Sequence, residues 1–437
     1  MPYKEEKIKV HSELECLKIL PVLVCRKGQV TENFMEEKLK QLKKNLKVAV
    51  DILNAVIINE EADVTLLKEN VLNADVILLY KPHLGLGNCI AKICEFDLPI
   101  ILFNDEGMTT TPLDALEYVY PQEKVWVAVD YQDLNNYLGA LSVKKKLGQT
   151  KILILNADYP HWERFICRVH GGREAIKEKL GIELEYVKSE DVIRRWKNMD
   201  ENRVKPIVEK WTREAEKIVE PEEKDLKAVA KLYLVMKDLL KEKNAHAITM
   251  AYGEGPLPVP CFAYTNLRDE GMPSACEADI ISLLSMIILN YVAEKPCFMG
   301  NTFIDTTDDT LIFSHCVCPR KMEGYNANPA PYTLRRYHRE KFPGSLTAFV
   351  KMKSGQEVTI CRLNGDLKSM LISSGIIADS VEMDDDIYCR VKAKVKIKNP
   401  KEFVHRASGN HHVMVYGDYR EQLRWLNEVL GIATIET

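Results

Sequence analysis

The chain has 437 residues, room for two or three domains of roughly 150 residues each, with cores that need no disulfide or metal staples. Hydrophobic residues make up 46% and charged residues 28%, which excludes a disordered or fibrous chain. Lys and Arg number 60 against 64 Asp and Glu, a net of −4, so nothing in the balance points to a nucleic-acid partner.

The opening MPYKEEKIKV lacks the apolar run of a secretory signal. No stretch of about 18 apolar residues occurs, and the most apolar run, 280–292, is broken by Ser282, Ser285 and Asn290. A cytoplasmic location with no membrane partner is the expectation. Twelve cysteines without a CxxC pair read as reduced thiols, most of them small core residues.

Residues 17–25 (LKILPVLVC), 74–80 and 98–103 are continuous apolar runs that predict strands. Between them, 31–45 predicts a charged helix capped by Thr31, with Phe34, Leu39 and Leu42 on one face, and 88–95 predicts another. Residues 48–58 form a further apolar stretch. Such alternation signals a parallel sheet covered by helices. The pattern restarts after Leu147, with strands at 151–156, 181–188 and 245–250 and helices at 171–179 and 206–244, the last interrupted near Pro221. The apolar helix 277–292 follows. From Pro296 helical periodicity fades, and 347–352, 357–363, 386–395 and 412–416 read as short strands before a closing helix at 419–430. The expected fold is two Rossmann-like α/β domains followed by a β-rich, barrel-like C-terminal domain, with boundaries 1–147, 148–299 and 300–437.

Three segments carry polar, metal-capable residues where pattern alone predicts core. Pro273–Asp279 (PSACEAD) puts Glu277 and Asp279 at the mouth of the apolar helix, where a helix N-terminus favours carboxylates. A plain helix-start charge is the bland reading, but a helix buried on every side leaves these acids to open into a cavity. Asp305 and His315 flank a second segment; alternatives are a turn acid and a satisfied core histidine. Cys316 and Cys318 beside them could mean zinc, but C-x-C without a second pair is a weak zinc signal. His411 and His412 lead into a strand, where neighbouring side chains face opposite ways, so only one enters a given site. Two carboxylates with one or two imidazoles suit Mn²⁺, Mg²⁺ or Co²⁺ better than structural zinc. Such an ion polarises a carbonyl while a carboxylate moves a proton on the neighbouring carbon.

The segments PSACEADIISLL, FID…SHC and SGNHHVMV resemble, in order, those of the L-fucose isomerase and L-arabinose isomerase superfamily. The resemblance implies two α/β domains with a β-rich third, an Mn²⁺-type cofactor, and aldose–ketose isomerisation of a monosaccharide through a cis-enediol(ate). By it Glu277 is metal ligand and acid/base, Asp305 the second acidic ligand and catalytic partner across the C1–C2 bond, His412 a ligand, His315 an additional ligand and His411 a substrate contact. It also implies a homo-oligomer, trimer or hexamer, whose first domain completes a neighbour's site. Arg26, His83 and Glu106, at strand ends, are candidates for that wall, and Tyr159, His161 and Trp162 for stacking on or contacting the sugar. Ordinary surface charge or core packing is the alternative for each. Competing functions are a non-catalytic sugar-binding or sensory protein and a metal-dependent sugar epimerase or lyase.

Overall fold

The computed structural model describes residues 14–103, 115–119, 124–156, 158, 168–251, 255–336, 345–382 and 389–437. Two compact units make up the chain, one of Glu15–Lys145 and one built on Lys146–Thr437.

The first unit holds a parallel sheet. Its centre is β1 (Leu17–Val24), buried along nearly its whole length. The expected apolar stretch 48–58 forms two short strands, β2 (Val50–Ile52) and β3 (Val56–Ile58), which pair with residues 17–19 and 22–24 of β1. Pro21 falls between those two pairings. It has no N–H to donate, so one continuous ladder cannot run past it. On the other side follow β4 (Val76–Tyr80), β5 (Ile100–Phe103) and β6 (Val125–Ala128), all parallel. Helices Phe34–Asn45 and Gly87–Cys94 stand at the two expected helical stretches.

In the second unit a four-stranded parallel sheet has the order β11-β10-β7-β8, from β7 (Lys151–Leu155), β8 (Glu183–Val187), β10 (Ala247–Met250) and β11 (Ser274–Ala275). The long helical region breaks near Pro221, as expected, but begins earlier. Asp200 caps Glu201–Glu214, Pro206 sits inside that helix, and Glu223–Lys243 continues after β9 (Lys217–Ile218). A three-stranded sheet joins β9 to β14 (Tyr332–Arg336) and β15 (Leu346–Val350). The run expected at 347–352 therefore lies outside the barrel.

The barrel itself has six strands: β12 (Phe298–Asp305), β13 (Thr310–His315), β16 (Glu357–Leu363), β17 (Ser369–Glu382), β18 (Val391–Ile397) and β19 (His411–Tyr416). All neighbours are antiparallel, and the β16–β17 pairing closes the ring. One half of β17 pairs with β16 and the other with β18, the register shifting between Ile377 and Asp379. Such an irregularity lets a long strand bend round a barrel. Short β20 (Ala433–Glu436) adds to β17 in parallel. Helix Ile280–Ala293 packs on β10 and β11 of the sheet and on β16 and β19 of the barrel. Apolar neighbours on both sides are the reason it is hydrophobic all round. No helix among the described residues is long and apolar enough to cross a membrane.

Candidate functional site

Residues 276–279 link β11 to the buried helix through an unusual backbone. Glu277 and Ala278 are both left-handed, with φ of +60° and +52°. Each such non-glycine residue costs about 1–2 kcal/mol, so the surrounding packing holds this turn against its own preference. Asp279 then caps the helix, accepting the Ser282 N–H at 3.0 Å and the Ser282 hydroxyl at 2.9 Å.

The barrel supplies the histidines. Asn301 of β12 pairs on one side with Ser314 of β13 and on the other with His411 of β19. That register brings the end of β13 and the start of β19 together, and the rings of His315 and His411 lie 5.3 Å apart between centroids. Glu277, His315 and His411 each offer a ligand atom within 4.8 Å of the others.

His411 Nδ1 stands 2.9 Å from Asp279 Oδ2. Burial alone would raise the Asp279 carboxyl, but the His411 hydrogen bond, the Arg362 charge and the Ser282 N–H outweigh it and hold it well below the usual carboxylate range. Against that anion Nδ1 of His411 carries a proton and donates, which turns Nε2 to the cluster. In His315, Nδ1 accepts the Cys316 N–H at 3.0 Å. Burial, with the neighbouring His411 second, pushes His315 down to about 3, so it is neutral at physiological pH. Both Nε2 atoms are buried without a partner among the described residues. Orphaned polar atoms of this kind are rare in folded cores. One carboxylate and two imidazoles around a shared point fit a divalent transition ion, and the Asp279–His411 bond is the carboxylate support that ligating histidines usually have. The cluster borders a cleft of about 630 Å³ lined by Glu277, Asp279 and His411 together with Arg168, His170 and Arg362.

Asp305 and His412 are the expected ligands that the structure does not bring to this cluster. Asp305 pairs with Thr310, and His315 lies five residues further along β13, about 17 Å at the rise of a strand. The Asp305 carboxylate instead accepts from Thr307 and pairs with Lys394 at 3.0 Å. These hydrogen bonds, Thr307 first and then Lys394, hold it at about 2. The two adjacent histidines do divide between faces, and the one that reaches the cluster is His411 rather than His412. His412, in register with Gly300, meets the Thr302 hydroxyl at 3.0 Å and the Phe403 ring, centroids 4.8 Å apart. Its neighbour is the one drawn to the helix cap.

Arg26 and His83 belong to the first unit, after β1 and β4. They share Gln29, whose side chain accepts the Arg26 N–H at 2.7 Å and whose main-chain oxygen is 3.0 Å from His83 Nε2. Glu106, Tyr159, His161 and Trp162 lie outside the described residues. Sequence reasoning passed over Asn301, which faces His411 across the ladder, and Arg362, a charged residue in an otherwise apolar strand. That interruption of β16 was the available signal.

No family model matches the chain. It is similar to proteins named sulfoquinovose isomerase. One from Priestia aryabhattai and one from Priestia megaterium (strain ATCC 12872 / QMB1551) are each 28% identical over 181 residues, 40% of this chain and 39% of the relative. Another from Alkalicoccus urumqiensis is 23% identical over 276 residues, 60% of each chain. The similarity thus spans two to three fifths of those proteins, and it relates the chain, at low identity, to sugar isomerases. Among solved structures, an Actinobacillus succinogenes periplasmic solute-binding protein with bound D-allose matches at 15% identity and TM-score 0.16, over 64% of this chain and 92% of that one. Likeness at that level says nothing of fold or ligand.

Proposed function

We propose that this chain is a metal-dependent aldose–ketose isomerase of a monosaccharide. The observation that carries the reading is the meeting of Glu277, His315 and His411, with two buried Nε2 atoms unpartnered among the described residues, at the edge of a cleft with room for a monosaccharide. The names of the relatives support a sugar substrate and make sulfoquinovose the first to try.

Glu277, His411 and His315 would hold the ion. When bound, a divalent ion supplies Lewis acidity toward two adjacent sugar oxygens and lowers the cost of negative charge on the carbon chain. Asp279 fixes the tautomer and orientation of His411. For Nε2 of a neutral His315 to join, its proton would move to Nδ1, which then no longer accepts the Cys316 N–H. Glu277 is the one carboxylate at the cluster free of a helix-capping role. It takes the proton from C2 and returns it to C1 from the same face, as a cis-enediol(ate) route requires.

The test is a panel of pentoses, hexoses, deoxy sugars and acidic sugars with Mn²⁺, scored by product identity. The expected result is a ketose from an aldose, deuterium on the product carbon in D₂O, and no turnover in a folded Glu277→Gln variant. A 2-epimer as product, or near-normal Glu277→Gln activity, overturns it.

A further inference from the structure

Four cysteines, far apart in sequence, lie against one another beside the cluster. The Cys316 sulfur accepts the thiols of Cys261 and Cys389 and the Arg390 N–H, and Cys261 is also hydrogen-bonded to Cys276. The row therefore runs Cys276, Cys261, Cys316, Cys389. The fold holds these segments together independently of the sulfurs. Cys261 opens the helix Cys261–Asp269, in which Arg268 donates to the main-chain oxygens of Ser274 and Val317. Thr265 of the same helix donates to the Cys318 oxygen at 3.2 Å. On the other side His315 of β13 pairs with Val391 of β18, which carries the chain at Cys316 and Cys389 past one another.

Among the described residues no three of these sulfurs lie within 4.8 Å of one another, so they line up and do not surround an ion as a closed zinc site would. Thiols buried singly are inert. A disulfide needs a second sulfur in reach and a small oxidant that can meet one of the pair. Cys261, Cys276 and Cys316 are buried, whereas Cys389 is half-buried, so an oxidant meets the row at Cys389. Two residues of the row are also chain neighbours of metal-capable groups. Cys276 precedes Glu277 in the left-handed turn, and its oxygen accepts the Asp279 N–H at 3.1 Å. Cys316 follows His315, and its N–H donates to His315 Nδ1 at 3.0 Å.

We infer that Cys316 and Cys389 are a redox modification site, joined as a disulfide by hydrogen peroxide and parted again by thiols, whose closure displaces His315 and weakens metal binding at the cluster. The effect on the metal rests on the reading of Glu277, His315 and His411 as its ligands; the disulfide does not. In the first step the Cys389 sulfur attacks peroxide. An S–O bond forms, the O–O bond breaks, and the leaving hydroxide departs as water with the thiol proton. In the second the Cys316 sulfur attacks that of Cys389. The S–S bond forms, the S–O bond breaks, and a second water leaves with the Cys316 proton. Two electrons pass from the sulfurs to the peroxide. Closure draws Cys316 from hydrogen-bond contact to covalent distance, and His315 moves with it.

The test exposes the full chain to hydrogen peroxide, removes the peroxide, blocks remaining thiols with iodoacetamide and maps the peptides by mass spectrometry. Mn²⁺ titration followed by electron paramagnetic resonance runs on the same samples. The expected result is a Cys316–Cys389 cross-linked peptide and Mn²⁺ affinity about tenfold or more below that of the reduced chain, both reversed by dithiothreitol. Cys389→Ser should form no such link and keep its Mn²⁺ affinity after peroxide. Should that variant fail to fold, reversal by dithiothreitol in the wild-type chain carries the test. No cross-link, sulfinic or sulfonic acids alone at these residues, or a cross-link that leaves Mn²⁺ affinity unchanged overturns the proposal. A reversible cross-link in a chain that binds Mn²⁺ in neither state sinks the metal reading and leaves the disulfide standing. Mn²⁺ binding without a cross-link does the reverse.

Discussion

Asp279 couples the start of the buried helix to the proposed metal centre, so Asp279→Asn should damage the centre while sparing the helix. Asn caps helices about as well as Asp and has nearly the same volume. The change removes the charge and one of two acceptor oxygens; the oxygen that remains keeps the Ser282 N–H cap, and the new NH2 faces His411 Nδ1. The charge-assisted bond to His411 Nδ1, about 1.5–3 kcal/mol, is replaced by at most a neutral one, about 0.5–1.5 kcal/mol, in which Nδ1 accepts from the amide and the ring proton moves to Nε2. Arg362 loses its buried counter-charge, a further loss of up to about 3–5 kcal/mol when one partner of a buried pair is removed. His411 becomes a weaker and less well-oriented ligand, and losing such a supporting carboxylate typically costs about 10–100-fold in metal affinity, or about 1.4–2.7 kcal/mol. The assay is Mn²⁺ titration of the full chain followed by electron paramagnetic resonance, with circular dichroism and urea unfolding in parallel. The expected result is a folded variant with weakened Mn²⁺ binding and a lower urea midpoint. Mn²⁺ affinity within about twofold of wild type in a folded Asp279→Asn variant would refute the reasoning.

Asp305→Asn should leave turnover within about twofold of wild type, because Asp305 pairs with Lys394 far along the hairpin from the cluster and solvent screens that pair; steady-state kinetics showing a fall of two orders of magnitude would restore Asp305 to the site. Asn301→Asp sets a carboxylate opposite His411 and should tighten Mn²⁺ binding by about tenfold or more, read in the same titration. Burial, the largest influence, pushes His412 and His315 down to about 3 from an ordinary 6.5. The unfolded chain therefore takes up protons that the folded chain refuses, so stability is full above pH about 6.5 and is lost as pH falls toward 3. His412→Gln should flatten that acid limb by close to one proton, about 1.4 kcal/mol per pH unit in urea titrations; an unchanged limb would place the titration elsewhere.

Elements built on continuous apolar runs were legible in the chain. Leu17–Val24, Val76–Tyr80 and Ile100–Phe103 appear as strands because burial on both faces leaves a run with no polar alternation. The break at Pro221 and the all-apolar helix were legible for equally local reasons. What was not legible depended on pairing. Pro21 divides the strand lying beside it, not its own, and only the register with Val50–Ile52 and Val56–Ile58 reveals that. The closed barrel needed the β16–β17 pairing, which no single strand announces.

The site divides along the same line. Glu277 was legible from its place before an apolar helix, since that chemistry is local. Asp305 was read as a ligand because it is acidic and near His315 in sequence. A hairpin puts residues that are close in sequence at opposite ends of a strand, and Asn301, with no charge to mark it, is the residue at the right level. The choice between His411 and His412 turned on one residue of register, which in a strand exchanges every side chain between faces.

The most direct test of the account is Mn²⁺ binding by equilibrium dialysis to the wild-type chain, His411→Gln and His412→Gln. The account predicts one ion per chain, a loss of about 100-fold or more in affinity for His411→Gln, and affinity within about threefold of wild type for His412→Gln. The reverse order of the two variants, or no saturable binding by the wild-type chain, would contradict it.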